Sequence, residues 1–273
     1  MSQQLKPVIL FIHGAWHQPK HYSQLLTSIE AKGLTVVAPT LASAGYDDSV
    51  DGKELEDDVK AIQNEILPYI DNGRKVIAVG HSYGAVPLQV AVNGHTLAER
   101  EQKGLQGGFV SIIFIAPTPV LQKGISMYDS VGGQYTSAWF HDVSVGKPRP
   151  HWKFMKLTPT QETRLPLKND KLMDAFFSDI DQTVANEVIP TLAHQSKGPF
   201  EVIVPCTPAD LNVPKIMVIC ENDTIFDKDI LTFVAERWGA KILEIESGHS
   251  PHLVEKYREW ISDLISAEGE KPL

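Results

Sequence analysis

Lys75-Val76-Ile77-Ala78-Val79-Gly80-His81-Ser82-Tyr83-Gly84-Ala85 decides the fold. The segment opens as an unbroken apolar run, stops at a glycine, and then presents a serine with glycines two residues to either side. Such a run reads as a strand buried on both faces, which places it in a parallel sheet covered by helices. Gly80-His81-Ser82-Tyr83-Gly84 matches G-x-S-x-G, in which a serine occupies a strained turn between strand and helix and projects its hydroxyl from the sheet. Small residues at 80 and 84 relieve the clashes such a turn creates. Ala85–Asn93 reads as the helix that follows, with Pro87 tolerated in its first turn. The pentapeptide alone says little. With glycine and serine each at about 7%, roughly one random chain in ten of this length holds it, and a tight turn with a structural serine is the competing reading. The strand before it and the helix after it supply the weight.

Working outward, short apolar runs recur. Val8–Ile12 ends at His13-Gly14, Thr35–Ala38 at Pro39, and Phe109–Ala116 at Pro117. Ile216–Cys220 stops near Glu221-Asn222-Asp223, and Lys241–Ile245 ends before Ser247-Gly248-His249. Between them, Leu55, Val59, Ile62 and Ile66 fall on one helical face, and Leu253, Tyr257, Trp260, Ile261 and Leu264 do the same near the C-terminus. Ser250-Pro251 reads as an N-cap and first-turn proline for that last helix. Strand and helix alternate, so the expected fold is α/β, a doubly wound, mostly parallel sheet.

The alternation fails from about residue 119 to 214. That stretch carries Tyr128, Tyr135, Trp139, Phe140, Trp152, Phe154, Phe176 and Phe177. It is expected to be a cap of short helices, inserted between core strands and lying over their ends, within a single domain spanning 1–273. So many aromatic residues must bury against something, and ligand sites are mostly apolar. Trp139 and Trp152, with Trp16, are therefore candidate pocket residues.

In a parallel sheet the C-terminal strand ends share one rim, where ligands bind. Ser82 is the candidate nucleophile on that rim. His249 follows the last strand directly and is the candidate base, preferred over His252, which Ser250-Pro251 carries into the helix. Asp223 ends the preceding strand and is the candidate acid that orients the base, with Glu221 and Asp227 as rivals. The chain order nucleophile, acid, base is the one expected for a serine hydrolase on such a sheet. The backbone N–H groups of Ala15 and Tyr83 are assigned to an oxyanion hole. His13, beside Gly14 at a strand end, reads as holding its loop by hydrogen bonds.

Four motifs in order now carry a resemblance over nearly the whole chain: HGAW at 13–16, GHSYGA at 80–85, CENDTIF at 220–226 and SGHSPHL at 247–253. The chain resembles the α/β-hydrolases, within them the branch of plant methyl esterases, hydroxynitrile lyases and many microbial esterases. The resemblance implies no cofactor and no metal, and it supports Ala15 and Tyr83 as the oxyanion donors. Two positions depart from it. Ala85 stands where many relatives have a second glycine. Ser250 stands where hydroxynitrile lyases of this branch have a lysine, which counts against cyanohydrin cleavage.

Composition limits the alternatives. The 273 residues carry a formal charge of −9, with 42% hydrophobic and 22% charged residues, as in soluble globular chains. An acidic surface disfavours nucleic acid and anionic lipid. Val8–Ile12 is too short for a secretory signal, and no apolar run reaches membrane-spanning length. Cys206 and Cys220, without zinc-type spacing, read as reduced buried thiols of a cytoplasmic protein. The expected function is hydrolysis of a small to medium ester, lactone or related carbonyl compound through an acyl-enzyme. The expected ligand is neutral and hydrophobic, and a homodimer is left open. Carbon–carbon bond hydrolysis or lysis on the same triad, and ligand binding without turnover, are the competing readings.

Overall fold

Val8–Ile12 (β1) is buried at every position, and its side chains alternate between two cores. Val8, Leu10 and Ile12 enter one, Ile9 and Phe11 the other. This two-sided burial recurs in Lys75–His81 (β4), Gly108–Ile115 (β5) and Lys215–Cys220 (β7). Each fully buried aliphatic side chain contributes roughly 1.5–3 kcal/mol, so apolar runs of this kind are stable only between two helical layers. A computed structural model describes residues 5–130, 163–167 and 171–271.

Thr35–Val37 (β2) and Lys241–Ile245 (β8) complete a six-stranded sheet in the order β2-β1-β4-β5-β7-β8, with every pair parallel. The chain steps outward from β1 to β2, returns past β1 to β4, and continues the other way. Connections from β1 and β4 thus diverge, and a crevice opens at their carboxyl ends. One face of the sheet is covered by helices Leu55–Asp71, Ala85–Val92 and Lys228–Trp238, the other by Ser23–Ala31 and Glu255–Gly269. In Leu55–Asp71 the inward positions are Leu55, Val59, Ile62, Ile66 and Ile70, at the spacing of one helical stripe. Asp58 is buried in the same helix.

The insertion lies between β5 and β7. Its described residues form short helices at Met127–Ser130, Leu172–Phe176, Gln182–Val188 and Gly198–Glu201. Its two-residue strand His194–Gln195 (β6) pairs antiparallel with Ala44–Gly45 (β3). Arg164 donates to Asp51 at 2.7 Å and to Asp48 at 2.6 Å, fastening the insertion to the segment after β3. Trp139 and Trp152 lie outside the described residues.

Ser250 does not cap the last helix. Its hydroxyl makes no capping bond, and a single 3-10 turn at Pro251–Leu253 comes first. The His252 ring stacks on Tyr22 with centroids 4.1 Å apart, which holds this turn against the core. Val254 is extended, so the α-helix starts only at Glu255. Among the described residues, no helix is long and apolar enough to cross a membrane.

Candidate active site

The turn after β4 works because two positions have no side chain. A Cβ on Gly80 would meet Ala85 Cα and Leu88 Cδ2 at 3.0 Å. On Gly84 it would lie 2.5 Å from the carbonyl oxygen of His13 and 2.6 Å from that of Ile12. Gly84 therefore lets the turn rest on the end of β1, which brings Ser82 beside the loop His13–Trp16. Ser82 itself has φ of +52°, in the left-handed region, a strain of about 1–3 kcal/mol that the surrounding structure must hold.

His249 Nε2 lies 2.9 Å from Ser82 Oγ, and His249 Nδ1 lies 2.8 Å from Asp223 Oδ2. A carboxylate at Nδ1 places the ring proton there, which leaves the Nε2 lone pair to accept from the serine hydroxyl. The side chains of Asp223 and His249 are sealed from solvent. Asp223 Oδ1 accepts the amides of Ile225 at 2.7 Å and Phe226 at 3.2 Å, so both carboxylate oxygens are held. The structure thus brings Ser82, Asp223 and His249 together. The rivals go elsewhere: Glu221 pairs with Lys228, and Asp227 caps the helix Lys228–Trp238.

Tyr83 follows Ser82 and Ala15 follows Gly14, where an added Cβ would lie 3.2 Å from Ser82 Cβ, and among the described residues neither the Ala15 nor the Tyr83 backbone N–H has a hydrogen-bond acceptor. Trp16 is buried and its indole N–H donates to the carbonyl of Leu165 at 2.8 Å. Its ring lies 5.9 Å from that of Phe176, and Phe176 and Phe226 each lie 5.6 Å from the His249 ring. His13 holds its loop at both ends: Nδ1 donates to the carbonyl of Gly14 at 2.9 Å, and Nε2 accepts the amide of Leu41 at 3.0 Å.

Sequence reasoning missed the groups that brace this arrangement. Gly14 donates its amide to the Tyr22 hydroxyl at 3.1 Å, and Tyr22 donates to His81 Nδ1 at 2.7 Å. His81 Nε2 then donates to the carbonyl of His249 at 2.8 Å. The residue before Ser82 is thereby bonded to the backbone of His249. Asp179, from the insertion, accepts the amide of Gly248 at 2.7 Å and the Ser247 hydroxyl at 3.0 Å, which tethers the loop that carries His249. Gly14 and His81 stand inside the HGAW and G-x-S-x-G motifs, whereas Tyr22 and Asp179 carry no sequence signal.

Residues 9–263 match the alpha/beta hydrolase family. The chain belongs to that family. Its similarity to the alpha/beta hydrolase nvfD of Aspergillus novofumigatus is 25% identity over 259 residues, 91% of this chain and 92% of that protein. The fold is similar to an extracellular α/β-hydrolase from a Paenibacillus species, described as sharing structural and functional homology with tobacco salicylic acid binding protein 2. That likeness has a TM-score of 0.70 at 16% identity and covers 97% of this chain and 100% of that one. The methylesterase MES16 of Arabidopsis superposes with a TM-score of 0.66 at 19% identity, covering 96% of this chain and 99% of that one. These solved folds lie in the branch that the four motifs resemble.

The hydrolase packs several histidines around this site as neutral groups. Burial lowers His13 to about 4 and His81 to about 3, and it pushes His17 and His252 well below their ordinary value of 6.5. Unfolded, each would take a proton below pH 6.5. Stability from these groups is therefore full above that pH and is lost as pH falls toward 4. Asp58, raised by burial to about 6, works in the opposite sense and offsets one proton between pH 6 and 3.8. The four neutral histidines outnumber that one opposing proton, so stability falls as pH drops below 6. Urea midpoints measured between pH 7 and 4.5 should fall steeply below 6, and a flat profile would contradict this reading. His252 has no partner for either ring nitrogen among the described residues. Its neighbourhood includes Phe11, Leu25, Ile115, Pro251 and Ile261. His252→Leu should therefore stabilise at pH 7 by about 1–3 kcal/mol and flatten the acid limb by about 1.4 kcal/mol per pH unit.

Proposed function

We propose that this hydrolase cleaves carboxylic esters or lactones through an acyl-enzyme on Ser82. The observation that carries the reading is the unbroken chain Asp223–His249–Ser82 beside the two unpartnered amides of Ala15 and Tyr83. Ser82 Oγ attacks the carbonyl carbon and its proton passes to His249 Nε2. The carbonyl oxygen, now negative, accepts from the amides of Ala15 and Tyr83. When the tetrahedral intermediate collapses, the alcohol leaves with the proton from His249. Water then repeats the sequence on the acyl group, with His249 as base, and releases the acid. Asp223 holds the ring and stabilises the imidazolium without taking the proton itself.

The substrate is neutral and hydrophobic. Phe176 and Phe226 edge the His249 ring, and a chain of net charge −9 repels anions at long range. The insertion 119–214 acts as a substrate-selecting cap, since it supplies Phe176 and reaches the base through Asp179. The methylesterase name of one fold relative is in keeping with this substrate class.

The test is a fluorophosphonate probe on the intact protein, run beside a panel of neutral and charged esters and lactones. The expected result is one adduct, mapped to Ser82, together with turnover of neutral esters ahead of anionic ones. An intact, folded protein in which Ser82 stays unlabelled sinks the proposal.

A further inference from the structure

Asp58 lies on the inward side of the helix Leu55–Asp71 with 0% exposure. A carboxyl group there costs stability unless its oxygens are matched. Three donors match it. Ser43 gives its amide to Oδ1 at 2.8 Å and its hydroxyl to Oδ2 at 2.6 Å, and the Tyr83 phenol donates to Oδ2 at 2.5 Å.

The chain continues through Ser43. Its hydroxyl accepts from Gln195 Nε2 at 2.9 Å, and Gln195 Oε1 accepts the amide of Trp16 at 3.2 Å. Gln195 is itself fixed, because β6 pairs with β3 and the Ser196 amide donates to the Ser43 carbonyl at 2.7 Å. Every member is buried: Trp16, Ser43, Asp58, Tyr83 and Gln195. The two ends of the chain are Tyr83, which bears one oxyanion amide, and Trp16, which follows the other.

Trp16 needs such a hold. It has φ of +60°, a left-handed conformation that side chains rarely adopt. Residues of the insertion fasten it at three points: Gln195 at its amide, the Ala193 amide at its carbonyl at 2.7 Å, and the Leu165 carbonyl at its indole. The peptide plane after Ala15, next to the one that carries the Ala15 N–H, is therefore held by Leu165, Ala193 and Gln195. Across the crevice, Tyr83 is pinned through its phenol by Asp58.

We propose that Asp58, Ser43 and Gln195 are positioning residues that set the spacing of the Ala15 and Tyr83 amides, so that the oxyanion hole is complete only when the insertion is docked. This rests on the reading of those amides under Proposed function. Oxyanion donors act at 2.7–3.1 Å from the developing charge, and losing one outright costs about 10²–10³-fold in kcat. Loosening both should cost about 10–100-fold.

The test uses the full chain with its best ester from the panel and three variants: Gln195→Leu, Asp58→Asn and Tyr83→Phe. Tyr83→Phe keeps the ring that stacks on Phe200 at 5.0 Å, so it reads the lost hydroxyl and little else. Each variant should lower kcat by about 10–100-fold, with KM within about threefold of wild type. Affinity for a trifluoromethyl ketone, which forms the oxyanion on Ser82, should fall by the same factor. The Gln195→Leu, Tyr83→Phe double variant should lose no more than the worse single, since either change breaks the chain. If Asp58→Asn does not fold, the other two carry the test. Folded variants that melt earlier yet keep kcat and ketone affinity within threefold of wild type would overturn the proposal and leave a purely structural network. Failure of the wild-type protein to label at Ser82 would instead sink the underlying reading.

Discussion

Ser82→Ala is expected to lower kcat by about 10⁶-fold on the best ester while the protein keeps its fold. The change removes only the hydroxyl that faces His249 Nε2 at 2.9 Å. The turn is built by Gly80 and Gly84, which stay, and alanine at φ +52° is no more strained than serine. The melting midpoint should therefore remain within a few degrees of wild type, since about 1 kcal/mol moves a chain of this size by only 2–4 °C. Residual rate over uncatalysed hydrolysis, about 10³–10⁴-fold, would come from the oxyanion amides and substrate binding. A folded variant that kept a tenth of wild-type kcat would remove Ser82 from the nucleophile's role.

Asp223→Asn is expected to cost about 10⁴-fold in kcat, and Asp227→Ala almost nothing. An asparagine at 223 has two settings, and both fail. If its NH₂ faces His249 Nδ1, the ring must carry its proton on Nε2, where it can no longer accept from Ser82. If instead its oxygen faces Nδ1, the NH₂ meets the amides of Ile225 and Phe226, donor against donor, at the places where Asp223 Oδ1 now accepts at 2.7 Å and 3.2 Å. Asp227 is a helix cap. Its Oδ1 accepts from Asp229 at 2.8 Å and Ile230 at 3.2 Å, so Asp227→Ala should remove about 1 kcal/mol of stability and leave kcat near wild type. Steady-state kinetics and melting curves on the two variants decide between them, and an inactive Asp227→Ala beside an active Asp223→Asn would reverse the assignment.

The sheet was legible because its strands are apolar on both faces. Val8–Ile12 and Lys241–Ile245 were read to the residue, and the others to within one or two positions. The three residues brought together at the site were legible for a related reason: each lies on the turn or loop just after a strand, and parallel strands end on one rim. What escaped are side chains whose partners are distant in sequence. In sequence Asp58 is one carboxylate beside Glu54, Glu56 and Asp57, and only Ser43 and Tyr83 reveal why it faces inward. Gln195 has no pattern at all, since its partners are Ser43 and Trp16. Ser250 misled because a Ser-Pro pair signals a helix start by local preference, whereas packing of His252 on Tyr22 imposes a separate turn first.

The hydrogen bond from Trp16 to Gln195 spans 179 residues, and the one between Ser82 and His249 spans 167. At synthesis rates of about 5–20 residues per second, about 8–36 s pass between emergence of the two partners of each bond. During that interval β1, β4 and the serine turn can leave the ribosome and begin to pair, yet the loop beyond Ala15 has nothing to hold Trp16 in its left-handed state, and Ser82 has no base. The nascent chain thus carries Ser82 for most of its synthesis without the imidazole that faces it in the folded protein. The site is completed last, when the C-terminal third lays His249 against Ser82.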